Sequence, residues 1–140
     1  MPEPAYAAWS ALDPFFDIVM RGLAGFVDGD HYFDTIAPEA AFEFRYRFPG
    51  WPEKIVGRDA LMALYVGYGK GIRLHGADGL VVNLSRTEGV VILEYEVHGA
   101  AVGSGKAYDN RFVSVVTIKD RKIVGWRDYM DSLAAMSALT

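Results

Sequence analysis

The residue best suited to chemistry is an aspartate near the end of the sequence. Trp126 and Met130 share one face of a predicted strand with Asp128, and the residues between them lie on the other face. Because a face with two large apolar side chains turns toward a core, Asp128 is predicted to lie inside. A buried carboxylate costs free energy unless it is hydrogen-bonded or functional. Two interpretations follow, a catalytic acid or base and a structural aspartate with satisfied hydrogen bonds.

A second set of polar residues lies on the strand predicted for residues 89–98. Glu94, Glu96 and His98 share one face, and the other face carries apolar and aromatic side chains. The polar face either meets solvent, as is common in antiparallel sheets, or lines a concave surface that becomes polar near a pocket floor. In the second interpretation the carboxylates repel each other, so that the pKa of one rises enough for it to act as a general acid.

Two further strands contribute candidate binding residues. Phe44 and Tyr46 belong to an aromatic face that alternates with charged residues between positions 42 and 48, and this face is predicted to point at the core. Asn110 shares a strand face with Phe112 and is predicted to point inward as well.

The composition favours a small uncharged ligand. Fourteen Lys and Arg against eighteen Asp and Glu give a net charge of −4, which disfavours nucleic acid and anionic membranes as partners. There is no cysteine and the three histidines are scattered, so no metal site is expected. The sequence also carries no signal-peptide pattern and no long apolar run, and we therefore expect a cytoplasmic protein.

The elements that must position these residues follow from hydrophobic periodicity. The predicted helices run from Asp13 to about Gly29, from Asp30 to Pro38, and around Leu61 to Tyr68; the predicted strands are 42–48, 80–84, 89–98, 107–118 and 123–130. This order indicates an α+β fold in one domain, residues 1–140. We expect a cone-shaped, curved antiparallel sheet whose three helices cover the concave face and enclose a pocket.

Two segments resemble a known family. Gly105–Phe112 and Lys122–Asp131 are similar to the C-terminal half of SnoaL-like proteins in the NTF2-like superfamily, and Gly57–Leu61 matches the opening of its third helix. The resemblance implies a curved sheet and three helices around an apolar pocket, usually in a homodimer formed through the sheet. The superfamily includes limonene-epoxide hydrolase, ketosteroid isomerase, polyketide cyclases, phenazine-pathway proteins and non-enzymes, so the fold does not choose the reaction.

The local resemblance to limonene-epoxide hydrolase concerns the run Trp126–Tyr129. It implies that Asp128 helps to activate water, as the matching aspartate does in that enzyme. A central strand of the hydrolase supplies an arginine and a second aspartate, and Glu94 and Glu96 stand in those places here. Glu96 can replace the acid, whereas Glu94 cannot replace the arginine. The phenazine-pathway relatives use an acid at the position of Asp128 in general acid/base chemistry.

The leading hypothesis is a cofactor-free general acid/base enzyme, of the isomerase, cyclase or epoxide hydrolase type, acting on a small, largely apolar oxygenated molecule. Asp128 and Glu96 are the predicted catalytic pair. The residues predicted to bind or orient the ligand are Glu94, His98, Asn110, Tyr46, Phe44, Phe112, Trp126 and Met130. Two alternatives stay open, a ligand-binding domain without chemistry and a purely structural dimer module.

Overall fold

The computed structural model describes residues 5–140, which form one curved sheet with helices packed against it. In chain order the elements are a 3₁₀ helix (Ala7–Leu12), α1 (Asp13–Gly22), a second 3₁₀ helix (Tyr32–Thr35), β1 (Ile36–Phe44), β2 (Lys54–Val56), α2 (Arg58–Gly71), β3 (Ile72–Leu84), β4 (Val90–Ala101), β5 (Ala107–Lys119), β6 (Lys122–Met130) and α3 (Ser132–Leu139). The α+β class predicted from the sequence is confirmed.

The six strands follow the order β2-β1-β6-β5-β4-β3. Neighbours along the chain from β3 to β6 pair antiparallel, because short turns connect them. The pair β1 and β6 is parallel, so the sheet is mixed at this one position. These two strands come from distant parts of the sequence, and a parallel pair needs such a long connection.

Helix α1 crosses the inner face of the sheet. Pro14 stands in its first turn, where a missing N–H costs no hydrogen bond, and its buried face includes Phe16 and Val19. At Gly22 a Cβ atom would lie 2.8 Å from the side chain of Leu93, so the helix approaches β4 closely at that point. The helix ends at Gly22 and not near Gly29 as predicted.

Several predicted boundaries are wrong, each for a local reason. The second predicted helix is only the short 3₁₀ segment, since β1 already begins at Ile36 and contains Pro38. Strand β1 ends at Phe44, which leaves Tyr46 in the following loop. The strand predicted for residues 80–84 begins earlier, at Ile72, because β3 continues past Gly76 and Gly79 through two irregular positions in its pairing with β4.

Helix α3 was not predicted, because its eight residues have no clear polar face. The Asp131 side chain begins the helix by accepting a hydrogen bond of 3.1 Å from the backbone N–H of Ala134. The buried faces of Ala135 and Ala138 then hold the helix against the body of the protein.

Within residues 5–140, no helix is both long enough and apolar enough to cross a lipid bilayer.

Candidate active site

The centre of the candidate site is Asp128, on a strand in the interior of the sheet. Strand β6 pairs with β1 on one side and β5 on the other, and the register places Asp128 opposite Phe44 and Ser114. Ser114 in turn lies opposite Leu93 on β4. Directly paired residues point to the same face, so Asp128 lies on the inner, helix-covered face. Its exposed fraction is 4%, and the predicted inward orientation is confirmed.

The Asp128 carboxylate is held by hydrogen bonds at one of its two oxygens. Ser114 Oγ donates to Oδ1 over 2.7 Å, and Trp126 Nε1 donates to the same oxygen over 3.0 Å. The Tyr95 hydroxyl lies 2.8 Å from Ser114 Oγ and extends this chain. No side chain within residues 5–140 donates to Oδ2. One oxygen is therefore fixed in position, and the other is left for a ligand.

The environment makes Asp128 a weaker acid than an exposed aspartate. Burial raises its pKa from the ordinary value of 3.8 to about 6, although the hydrogen bonds from Ser114 and Trp126 oppose this rise. A carboxyl with this pKa is about nine-tenths ionised at neutral pH and is a far stronger base than an exposed aspartate. The group can therefore accept a proton near neutrality and return it.

A pocket separates Asp128 from the helices. Its cavity volume is about 40 Å³, within a hollow of about 430 Å³ that includes the part open to solvent. Apart from Asp128 the wall is apolar or aromatic. The lining residues are Leu12, Phe15, Tyr46, Trp51, Tyr65, Tyr68, Leu74, Val97, Phe112, Asp128 and Met130. We call this space the inner pocket.

Tyrosine hydroxyls supply the neutral hydrogen-bonding groups of the inner pocket. Burial raises the pKa of Tyr46, and the neighbouring Asp128 carboxylate raises it further. Burial also raises the pKa of Tyr65 and of Tyr68. These phenols therefore stay protonated at any ordinary pH and can donate a hydrogen bond to a ligand oxygen.

One aromatic donor in the wall has no hydrogen-bond partner. The indole N–H of Trp51 is buried and lies near the Tyr46 hydroxyl, whose pKa it lowers, but it reaches hydrogen-bond geometry with no acceptor within residues 5–140. A buried unpaired donor is unfavourable, so Trp51 is a group that a ligand oxygen could satisfy after a small side-chain shift.

Comparison with known proteins assigns the family. Residues 6–126 match the SnoaL-like domain. The chain belongs to the SnoaL-like family. A relative of this SnoaL-like chain is the uncharacterised protein YesE of Bacillus subtilis (strain 168), with 32% identity over 99 residues, which are 71% of this chain and 67% of that protein.

Solved structures share the fold of the SnoaL-like chain. A proposed isomerase from Bacillus subtilis has a TM-score of 0.74 and 26% identity, with 94% of this chain and 91% of that chain covered. An NTF2-like protein from Burkholderia xenovorans LB400 has a TM-score of 0.67 and 17% identity, with 95% of each chain covered. The NTF2-like fold that the sequence resemblance implied is thereby confirmed.

The predicted second acid of the SnoaL-like chain does not lie beside Asp128. Glu94 and Glu96 are exposed, and their register partners Val113 and Arg111 belong to the outer face of the sheet. The expectation that Glu96 trades a proton with Asp128 is wrong, because two residues on opposite faces of a sheet cannot meet. The solvent-facing interpretation of these two glutamates is correct.

His98 also lies on the outer face and not at the rim of the pocket. Its Nδ1 atom is 2.7 Å from Asp109 Oδ1, and its Nε2 atom is 3.0 Å from Asp78 Oδ1. These hydrogen bonds raise the pKa of His98. The ring therefore links β3, β4 and β5 across their outer surface.

Asn110 points inward, as predicted, but supports the fold and does not line the pocket. Its Nδ2 atom donates to the Tyr108 hydroxyl over 2.9 Å, and that hydroxyl lies 2.9 Å from the Tyr68 hydroxyl. Its Oδ1 atom accepts from the backbone N–H of Asp131 over 3.1 Å. Asn110 therefore fixes a pocket tyrosine and the turn into α3.

The other predicted binding residues divide into two groups. Tyr46, Phe112 and Met130 line the inner pocket. Phe44 is buried behind the wall, with its ring centroid 5.5 Å from that of Trp51, and Trp126 acts through its hydrogen bond to Asp128. The role of each in binding stays a prediction.

Sequence reasoning missed Ser114 and Tyr95, which hold the carboxylate. A signal for Ser114 existed, since it lies on the same strand face as Asn110 and Phe112. Its contact with Asp128 depends on the register of two strands, and the register is not visible in the alternation of either strand alone.

Proposed function

We propose that this protein is a cofactor-independent general acid/base enzyme that acts on a small, largely apolar, oxygenated molecule. One observation carries the proposal: a buried carboxylate with a pKa of about 6 leaves one oxygen without a protein donor in an aromatic pocket. Perturbed carboxyl groups of this kind are characteristic of catalytic sites. The proposed isomerase among the solved neighbours has related chemistry ascribed to it.

Asp128 is proposed to act as the base. Its free Oδ2 atom takes a proton from a carbon next to a carbonyl group, or from a water molecule whose oxygen attacks an epoxide carbon. In the epoxide reaction the ring C–O bond breaks, and Asp128 returns its proton to the released alkoxide oxygen. The fixed Oδ1 atom keeps its bonds to Ser114 and Trp126 during this step, so the carboxylate does not need to reorient.

Tyr46 is proposed to be the partner of Asp128 in acid/base chemistry, the role that the sequence predicted for Glu96. A proton removed next to a carbonyl leaves negative charge on the carbonyl oxygen, and a neutral donor in a dry pocket stabilises that charge. Tyr46 lines the same pocket as Asp128 and keeps its proton. Proton return from Asp128 to a second carbon completes an isomerisation. In a cyclisation the enolate carbon attacks a second carbonyl carbon, the C=O π bond breaks, and Asp128 returns its proton to the alkoxide oxygen that forms.

The direct test is proton exchange at carbon. The wild-type protein is expected to exchange the α-protons of cyclohexanone for deuterium faster than buffer does, and to convert a β,γ-unsaturated cyclic ketone to its conjugated isomer, followed by ultraviolet absorbance. Asp128→Asn is expected to lower either rate by at least about a hundredfold, the usual contribution of a positioned base. The matched control is Asp120→Asn, at a turn residue with φ of 52°, a conformation that asparagine adopts readily.

A binding protein without chemistry is the second candidate, because the inner pocket contains no second carboxylate. In that case the ketone affinity of Asp128→Asn would lie within about twofold of the wild-type affinity. Neither the wild-type protein nor Asp128→Asn would exchange the α-protons faster than buffer does. Epoxide opening remains within the proposal, and a panel of apolar epoxides tests it with the same two variants.

We further propose a homodimer formed through the outer face of the sheet. One row across four strands presents Val81, Glu94, Val113 and Tyr129, and its three apolar or aromatic members are 48%, 37% and 39% exposed. A two-fold axis would bury this row against its copy. Sedimentation analysis is expected to show a dimer that Val113→Asp dissociates; a wild-type monomer at micromolar concentration would refute the dimer.

A further inference from the structure

A second apolar space, the outer cleft, adjoins the inner pocket. Its cavity volume is about 330 Å³, within a hollow of about 810 Å³ that includes the part open to solvent. Four side chains line both spaces, Tyr46, Trp51, Tyr68 and Met130. The two spaces are therefore separated only by the side chains that they share, and a ligand that extends past this wall enters the outer cleft.

The remaining walls of the outer cleft carry no charge. They come from the loop after β1, from α2 and from α3, and their residues are Phe48, Gly50, Leu64, Gly67, Gly71, Ile72, Ala135 and Leu139. Apart from the shared residues Tyr46, Trp51 and Tyr68, the cleft wall offers no polar side chain and is suited to hydrocarbon.

Two glycines on α2 keep the cleft open. Gly67 and Gly71 lie four residues apart on the helix, so both face the same side. Neither has the positive φ that only glycine adopts easily, and a Cβ at either position would have no atom within 4 Å. Backbone geometry and packing therefore both permit a larger residue, although glycine weakens a helix. The absence of side chains at these two positions leaves room along the helix.

We infer that the outer cleft binds the hydrocarbon tail of the same substrate whose oxygenated end faces Asp128. The inference rests on the proposed function, because it takes the oxygenated group to lie in the inner pocket. It names the substrate class more closely: an oxygenated head, such as a ketone or an epoxide, attached to an apolar chain or ring system that crosses the wall shared by the two spaces. Gly67 then determines how long that tail can be.

The test measures equilibrium binding, by calorimetry, of methyl ketones that carry ethyl, butyl or hexyl chains. Each methylene that enters the cleft is expected to strengthen binding by about fourfold in the wild-type protein. Gly67→Leu narrows the cleft beside α2, so this gain is expected to shrink for the hexyl ketone while binding of the ethyl ketone changes by less than about twofold. Gly67→Ala is expected to give an intermediate loss.

The matched control is Gly76→Leu, which adds the same side chain on β3, outside the cleft, at a glycine where an added Cβ also meets no atom within 4 Å. It is expected to keep the wild-type dependence on chain length. Equal chain-length profiles for Gly67→Leu and Gly76→Leu, or a wild-type affinity that does not increase beyond the ethyl ketone, would overturn the inference. Melting temperatures of both variants check that each one is folded.

The result is separable from the proposed function, since no turnover is measured. If Asp128→Asn exchanges protons as fast as the wild type and the Gly67 variants still lose the long ketones, the tail site stands and the catalytic role fails. If Asp128→Asn is inactive and the Gly67 variants bind every ketone normally, the catalytic role stands and the tail site fails.

Discussion

Replacing Asp128 with asparagine should make the protein more stable at neutral pH. Burial raises the pKa of this carboxyl from 3.8 to about 6. A shift of about two units corresponds to about 3 kcal/mol of unfolding free energy that is lost once the group is ionised. Asparagine has the same shape and still accepts the hydrogen bonds from Ser114 and Trp126 through its amide oxygen. The variant therefore removes the cost of the charge and keeps the contacts.

The pH dependence follows from the direction of the shift. The folded-state pKa lies above the unfolded-state value, so between about pH 4 and pH 6 the native state binds the additional proton. Stability of the wild type falls as the pH rises through this window, and the asparagine variant lacks this component. The variant should be more stable by about 3 kcal/mol near pH 8 and by only about 0.5 kcal/mol near pH 4.

Urea unfolding followed by tryptophan fluorescence, at a series of pH values, measures this difference. Asp120→Asn, in the exposed turn between β5 and β6, is the control and should show no such trend. The reasoning is refuted if the Asp128 variant is less stable than the wild type near pH 8, or if the stability difference is the same at every pH.

Ser114→Ala removes a hydrogen bond that lowers the pKa of Asp128, so this pKa should rise; an unchanged carboxyl titration by NMR would contradict the assignment. The raised pKa of His98 means that its two aspartate contacts stabilise the fold below its ordinary value of 6.5 and that this stabilisation is lost as the pH rises through the folded-state value. His98→Asn should therefore lower the free energy of unfolding by roughly 1 kcal/mol or less at low pH and leave it unchanged at high pH, as measured by urea unfolding. An equal loss of stability at low and high pH would contradict this prediction. Gly99→Ala places a Cβ 2.2 Å from a backbone oxygen of β3 and should cost about 2 kcal/mol or more, whereas Gly76→Ala meets open space; equal melting temperatures would show the clash to be absent.

Sequence reasoning predicted burial correctly where the alternation within a single strand was sufficient. Trp126 and Met130 flank Asp128 at a spacing of two, and that alternation was sufficient to predict a buried carboxylate. The same alternation along β4 predicts that Val91 and Leu93 point inward and that Glu96 points outward, as the structure shows. The catalytic hypothesis for Glu96 favoured the less common arrangement over the hydrophobic pattern.

The rest of the site depends on information that no single segment holds. The contact of Ser114 with Asp128 requires the register of β5 against β6. The position of Tyr46 requires β1 to end at Phe44, which the continued aromatic alternation conceals. Helix α3 has almost no polar residues, and its place is determined by the turn that Asp131 and Asn110 hold together. Tertiary contacts supply these features, and local periodicity does not contain them.

The last strand of the sheet in sequence, β6, is also an interior strand, and it carries Asp128. Until Lys122–Met130 has left the ribosome, β1 and β5 both present unpaired backbone edges, and the pocket has no carboxylate. At that stage of synthesis the nascent chain therefore lacks the carboxylate of the candidate site and exposes strand edges that can pair with other chains. The step that adds β6 between β1 and β5 also brings Asp128 into the candidate site, so these two strand edges are paired when the site becomes complete.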